Sequence, residues 1–212
     1  MQEPEKQEYR PAVTKKKEPN SRELQRPSDP EERELKFPAE GLETARARLI
    51  EMEAERIGPG SFEDNWVLDR DDELQSAGCI LRLRTDGQGA RITFKGPRRF
   101  EGAIKVRREI EINVSEAESA RALLEALGYR VESRYQKKRE EWRLGGVTIA
   151  LDHTPIGDFV EFEGERAEVV AKRCGFDEAR AEPRSYLALY ADHRASRPDS
   201  PAEMVFPEDE QR

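Results

Sequence analysis

The sequence predicts an α+β domain built mainly on antiparallel strands, and three observations carry that expectation. Apolar residues alternate with polar ones in eight short stretches, the period of a strand. Glycines stand between neighbouring stretches where tight hairpins need them. Helical periodicity is confined to a few segments between and after the strands. Strands are expected near 31–37, 62–69, 79–85, 90–95, 104–113, 131–143, 146–152 and 159–164. Helices are expected near 39–56, 115–127, 165–174 and 184–194. Eight is a number of strands at which a sheet can close, so closure is one arrangement open to the chain.

The helix near 115–127 has the clearest signals: Ser115 as cap, Glu118 three residues later, an apolar stripe of Leu123, Leu124 and Leu127, and Gly128 as the stop. Gly87 and Gly89 mark a hairpin between the third and fourth strands, and Gly145-Gly146 another between the sixth and seventh. Residues 1–30 hold five prolines, thirteen charges and only five apolar residues, too few to offset the entropy of ordering, so a disordered tail is expected there. The Lys15-Lys16-Lys17 run within it reads as a solvated charge run. Residues 196–212, with three more prolines and an acidic excess, are expected to form a second disordered tail. The domain is then 31–195, enough chain for one core.

Composition narrows the function. Charged residues make up 39% of the chain against 35% hydrophobic, and no stretch approaches the roughly 20 apolar residues of a membrane-spanning helix. The first ten residues lack the apolar centre of a signal peptide, so a cytoplasmic protein is expected. Cys79 and Cys174 lie far apart with no Cys/His cluster, which argues against a disulfide framework and a zinc site. A net charge of −8 speaks against a general nucleic-acid binder, though it leaves room for a local basic pocket. There is no GxxxxGK[ST] loop and no Ser/His/Asp or Cys/His arrangement. His193 reads as a surface residue of the last helix, and His153 as a turn residue after Asp152.

The strands carry ions on one face. Glu32, Glu34 and Lys36 alternate with Leu35 and Phe37, and Arg82 and Arg84 with Leu81 and Leu83. Thr93 and Lys95 oppose Ile92 and Phe94, while Arg107, Glu109 and Glu111 oppose Val106, Ile110 and Ile112. Lys137, Arg139 and Glu141 share a side, and Glu161 and Glu163 oppose Val160 and Phe162. A one-sided sheet facing water explains alternation. It predicts a mixture of polar types, whereas these faces are almost wholly Asp, Glu, Lys and Arg. The competing arrangement turns the charged faces inward in a closed sheet with helices outside. Such a lumen suits a ligand that is highly negative and accompanied by a metal. Carboxylates bind hard cations such as Mg²⁺ and Mn²⁺, and Arg and Lys bind phosphate oxygens.

The ExExK of Glu32, Glu34 and Lys36 resembles the signature of CYTH domains, the triphosphate tunnel metalloenzymes that include class IV adenylyl cyclases and thiamine triphosphatases. The resemblance runs in order through DNWVLD (64–69), LRLR (81–84), ITFKGP (92–97), KVRREIEI (105–112), KKR (137–139), VTIALD (147–152), IGDFVEFE (156–163) and SYLALY (185–190). It is nearest to the class IV cyclase branch, with a departure at Thr154-Pro155-Ile156. It implies an eight-stranded antiparallel closed barrel, a tunnel with helices packed outside, holding a triphosphate with Mg²⁺ or Mn²⁺. By the same resemblance Glu32, Glu34, Glu161 and Glu163 match metal-binding carboxylates, and Asp152, Glu109 and Glu111 match further acids that bind or orient metal. Arg82, Arg84, Lys95, Lys137 and Arg139 match phosphate-binding bases, with Lys36 beside the reacting phosphate; Glu32, Glu34 and Lys36 are thus the catalytic candidates.

A hydrolase acting on a nucleoside, thiamine or inorganic triphosphate needs only those lumen residues and a water aligned with the terminal phosphorus. A class IV adenylyl cyclase, making cyclic AMP and pyrophosphate from ATP, also needs an adenine pocket that the sequence does not locate. A non-catalytic polyphosphate- or nucleotide-binding module is the reading of another class, and the full set of acids counts against it. Either way the expected partner is a small triphosphate rather than nucleic acid or membrane.

Overall fold

In the computed structural model, residues 31–87 and 89–211 are described. The chain runs β1 (Glu31–Ala39), α1 (Glu43–Glu51), β2 (Glu55–Asp69), α2 (Glu73–Ser76), β3 (Ile80–Asp86), β4 (Gly89–Lys95), β5 (Arg99–Glu101) and β6 (Ile104–Val114). It continues with α3 (Ala117–Ala126), β7 (Arg130–Leu144), β8 (Val147–Thr154), β9 (Gly157–Glu163), α4 (Ala167–Arg173) and α5 (Tyr186–Ser196). The pairings are antiparallel in the order β1-β9-β8-β7-β2-β3-β4-β6, and β6 pairs back onto β1, with Glu32 opposite Arg107. Eight strands therefore close into a barrel, and β5 extends one edge of β6 past the closure.

Closure turns the alternation inside out. The apolar faces point away from the lumen and are largely covered by helices, while Ile110 and Ile112 of β6 stay exposed. Leu35, Phe37, Val106, Val160 and Phe162 form one cluster with residues of α1 and α4. Leu68, Leu81 and Leu83 meet Ala120 and Leu124 of α3. Tyr135 and Phe159 meet Tyr186 and Tyr190 of α5, with Met204 beyond them. The Gly145-Gly146 hairpin forms as expected, both residues having the positive φ (59° and 81°) that tight strand-to-strand turns demand.

Several local expectations are corrected. The helix expected over 39–56 is only α1, because Glu53 adopts φ 55° and the chain then extends into β2. Gly58-Pro59-Gly60 hid the first part of β2, where the register shifts between Ile57 and Ser61. Ser115 does not cap α3: Glu116 stands at that position without a side-chain cap, so Ala120 and Leu124 face the core while Leu123 and Leu127 are exposed. The short β5 and α2 had no periodicity long enough to read.

The tail expected over 196–212 is also corrected for its described part. Met204 and Phe206 are buried, and Met204 bridges Tyr135 on β7. Gln136, fully buried, ties them down: its backbone NH donates to the Met204 carbonyl, and its side-chain oxygen accepts from the Phe206 NH. Two apolar residues among prolines and acids carry no periodic signal, yet they suffice to anchor the segment. Residues 1–30 and the lysine run within them lie outside the described residues.

Candidate active site

The lumen is a cavity of about 660 Å³. Its wall carries ten basic side chains and eight acidic ones among the described residues. The closed register is what gathers them, since each strand contributes the face that sequence alternation had marked as ionic. Glu32, Glu34, Lys36, Arg82, Arg84, Lys95, Glu109, Glu111, Lys137, Arg139, Glu161 and Glu163 all line it. Asp152 does not reach the lumen surface. Expected as an acid that binds or orients metal, it is fully buried behind the wall, where it holds lumen bases from the rear.

The ions form a connected network. Glu32 takes the Lys95 ammonium on both oxygens at 2.7 Å, and Glu109 meets the same lysine at 3.1 Å. Glu34 is paired with Lys105 at 2.7 Å. Lys36 lies 3.3 Å from Glu161, donates to the Arg184 carbonyl at 3.2 Å, and sits 3.9 Å over the Tyr186 ring. Asp152 accepts from Arg139 at 2.7 and 2.6 Å, from Lys137 at 3.0 Å and from the Tyr186 hydroxyl at 2.8 Å. Arg139 also reaches Glu161 at 2.5 Å.

Sequence reasoning missed Glu63, which is buried beneath Arg84 (3.1 Å) and Lys137 (3.5 Å). It stands on the inward face within β2, between Ser61 and Asn65, and with no ionic residue two positions away it gave no alternating pattern to find it. Lys105, Tyr135 and Tyr186 were missed too, and Arg107, which shares the inward face, donates to the carbonyls of Gly96 and Gly78. His153 is outside the barrel, stacked on Phe206 and paired with Asp158, and His193 stacks on Tyr190.

Electrostatics separates these groups. Burial opposes ionisation of Glu63, but Lys137, Arg139 and Arg84 outweigh it and hold the carboxyl well below the usual range. Glu161 behaves alike, its burial overcome by Lys36 and Arg139. Lys95 is held above its ordinary value chiefly by Glu32, against the burial that opposes its charge. Glu163 goes the other way: burial, then Glu32, push it up to about 7, with Glu109 adding to the effect. Burial and the nearby Asp152 raise Tyr186 well above the ordinary phenol range, so its hydroxyl remains a donor. Arg82 Nε and Arg84 Nε are buried with no hydrogen-bond partner among the described residues.

The CYTH domain profile matches residues 30–189, three quarters of the chain and every strand of the barrel. The chain belongs to the CYTH domain family. That family includes adenylate cyclases and triphosphatases and is generally metal-dependent. A relative from Methanocaldococcus jannaschii is 25% identical over 111 residues, 52% of this chain and 63% of that protein, so the match spans less than two thirds of the relative's length. A solved structure from Vibrio parahaemolyticus superposes with a TM-score of 0.67 at 26% identity, covering 76% of this chain and 97% of that one. Both of these proteins bear the name "putative adenylate cyclase". A conserved hypothetical protein from Pyrococcus furiosus has a TM-score of 0.62 at 26% identity, covering 74% of this chain and 99% of that one. No helix among the described residues is long and apolar enough to cross a membrane.

Proposed function

We propose that this CYTH protein is a metal-assisted enzyme that binds a triphosphate along its tunnel and hydrolyses it. The observation that carries the proposal is the lumen itself: ten bases and eight acids face one cavity, with Glu63 and Asp152 buried behind the bases. A solvated sheet face has no need of buried counter-ions, whereas an anion site needs its cations fixed in place before the ligand arrives.

The residues fit a divalent cation. Glu163 is pushed toward neutrality by burial and by Glu32 and Glu109, a crowding of acids that a dication relieves. Among the described residues no three such groups are close enough to hold an ion alone. Mg²⁺ and Mn²⁺ commonly share their ligands between one or two carboxylates and a substrate's phosphates. Glu32, Glu34, Glu161 and Glu163 are the proposed ligands, with Glu109 and Glu111 beside them. When bound, the ion supplies charge neutralisation at the phosphate oxygens.

The chain's own bases do the rest. Arg82 and Arg84 line the lumen with guanidinium groups suited to phosphate oxygens. Arg139 and Lys137 are braced from behind by Asp152 and Glu63, which fixes their heads at the wall. Lys36, held between Glu161 and the Tyr186 ring, is the base assigned in this reading to the reacting phosphate. A phosphate chain entering the lumen takes over the cations now paired to Glu32, Glu34 and Glu161, and so frees those carboxylates for metal. The two cysteines are free, which suits a reducing cytosol.

The names of the relatives favour a second reading, cyclisation of ATP with release of pyrophosphate. One experiment tests both. ATP, GTP, thiamine triphosphate and inorganic triphosphate are incubated with Mg²⁺ or Mn²⁺ and the products resolved by chromatography. Orthophosphate supports hydrolysis, and cyclic nucleotide with pyrophosphate supports the second reading. No metal-dependent product from any of the four sinks the enzyme proposal.

A further inference from the structure

The last part of β6 is paired on one side only. Its β4 side is complete from Glu109 to Val114. On the other side β1 pairs with it from Lys105 to Arg108 and stops, with Glu31 opposite Arg108. No described strand takes up the edge beyond that point. Accessibility agrees, since residues 110–113 are exposed on both faces of the strand. On the outer face Ile110 is 40% and Ile112 54% exposed, beside the half-buried Phe94 and Ile92 of β4.

The ladder stops for a reason written in the sequence. The Gly96 NH donates to the Arg108 carbonyl, so Arg108, Ile110 and Ile112 turn their backbone groups toward β4. The backbone groups of Arg107, Glu109, Glu111 and Asn113 therefore point to the β1 side. Glu32 lies opposite Arg107 there, and the residue next in that register, opposite Glu109, is Pro30, which has no NH to donate. An open row of donors and acceptors on a strand edge is a template for another strand.

We infer that a second copy of this chain docks on this edge, the two β6 strands pairing antiparallel about a twofold axis at Ile112. The side chains select that register. Centring the axis on Glu111 sets that acid against its own copy, and centring it on Ile110 sets Glu109 against Glu111, so both oppose like charges. Centring it on Asn113 shortens the ladder. With the axis at Ile112, Glu111 lies opposite Asn113 of the other copy, and each backbone exchanges both of its edge hydrogen bonds. On the outer face Ile112 meets Ile112 and Ile110 meets Val114, which covers the apolar surface that folding leaves open. The contact is the same patch on both copies, as a twofold dimer requires.

Sedimentation velocity on the full chain is expected to show twice the mass of one chain. Ile112→Lys, which sets two ammonium groups on the axis, is expected to be monomeric while still melting cooperatively. Should it fail to melt cooperatively, Asn113→Asp serves: it opposes a carboxylate to Glu111 and weakens the dimer about tenfold. Crosslinking reads the register. A non-hydrogen-bonded antiparallel pair stands about 4.5 Å apart at Cα, within the roughly 4.4–6.8 Å that a disulfide spans, so Ile112→Cys should form a covalent dimer under mild oxidation. Ile110→Cys, about 13 Å from its own copy in this register, should stay single, as should wild type with its two free cysteines. A monomeric wild type overturns the inference. So does a dimer that survives Ile112→Lys or Asn113→Asp unchanged, or one in which Ile110→Cys crosslinks as readily as Ile112→Cys.

Discussion

Glu163→Gln is expected to stabilise the metal-free protein above neutral pH. Below about 4.5 the Glu163 carboxyl is protonated in folded and unfolded chains alike. Between there and about 7 the unfolded chain has given up its proton while the folded one retains it, so folding loses ground as pH rises. Above about 7 the loss is complete, because the charge then sits in the barrel wall beside Glu32 and Glu109. The gap between the two values corresponds to about 3 kcal/mol at face value. The side chain is exposed to lumen water, so screening reduces this to about 1 kcal/mol. For a domain of this size that is about 2–4 °C in melting temperature. The assay is a set of melts in chelator from pH 4 to pH 8.5. Wild type and Glu163→Gln should agree near pH 4 and diverge through pH 7, the variant melting higher. Excess Mg²⁺ should then raise wild type more than the variant. Coincident melting curves at pH 8 in chelator, or a variant that melts lower there, would refute the reasoning.

Glu63→Gln should destabilise the fold by about 3 kcal/mol, since it removes the buried charge that Arg84 and Lys137 share and leaves them only Glu111 and Asp152; urea denaturation checks this. Arg82→Ala or Arg139→Ala should weaken substrate binding by about 1–3 kcal/mol each, read as KM or Kd, and unchanged kinetics in both would remove them from the site. Met204→Ala should cost about 2–5 kcal/mol by opening a cavity under the strap, seen as a fall in melting temperature. Truncation of residues 1–30 should leave activity and the thermal transition intact, and a truncated chain that precipitates would defeat the tail proposal. Glu32→Gln with Glu34→Gln should abolish metal-dependent turnover, and full activity in that variant would remove the proposed metal ligands.

The barrel was legible because its charge pattern is regular. Every strand that alternates ionic with apolar residues turned out to present the ionic face to one lumen, and the ordered motifs fixed the same set of side chains. What escaped notice escaped for physical reasons. Glu63 acts through neighbours on other strands, Arg84 on β3 and Lys137 on β7, which are joined to it only by register. Met204 and Phe206 gain their meaning from Gln136, some seventy residues earlier. Ser115 looked like a cap because its type is right, but the helix begins one residue later than the cap pattern requires. Register and long-range packing decide such features, and neither is written in a window of local sequence.

The structure also reverses one consequence of the sequence reading. With the acids of β1 and β9 crowded on neighbouring strands, neutralising Glu32 and Glu34 would be expected to relieve repulsion and stabilise the protein. Instead each carboxylate holds a lysine, Lys95 and Lys105, at 2.7 Å. Their removal takes the 2.7 Å partner from Lys105 and leaves Lys95 with Glu109 alone, a cost rather than a gain. The acids of the barrel thus divide into two kinds. Glu63 and Asp152 are buried and hold bases permanently, so their loss is a loss of stability and of base position. Glu32, Glu34 and Glu161 face the lumen and hold bases that a phosphate chain can take from them. In the proposed reading that exchange is what couples metal to substrate: the carboxylates become available to a cation when the triphosphate occupies their lysines and arginines. A metal bound strongly without any phosphate ligand would contradict this coupling, because Lys95 and Lys105 would then have to be displaced by the ion alone. Glu163, the lumen acid that no base pairs with among the described residues, is the one place where a cation could bind first.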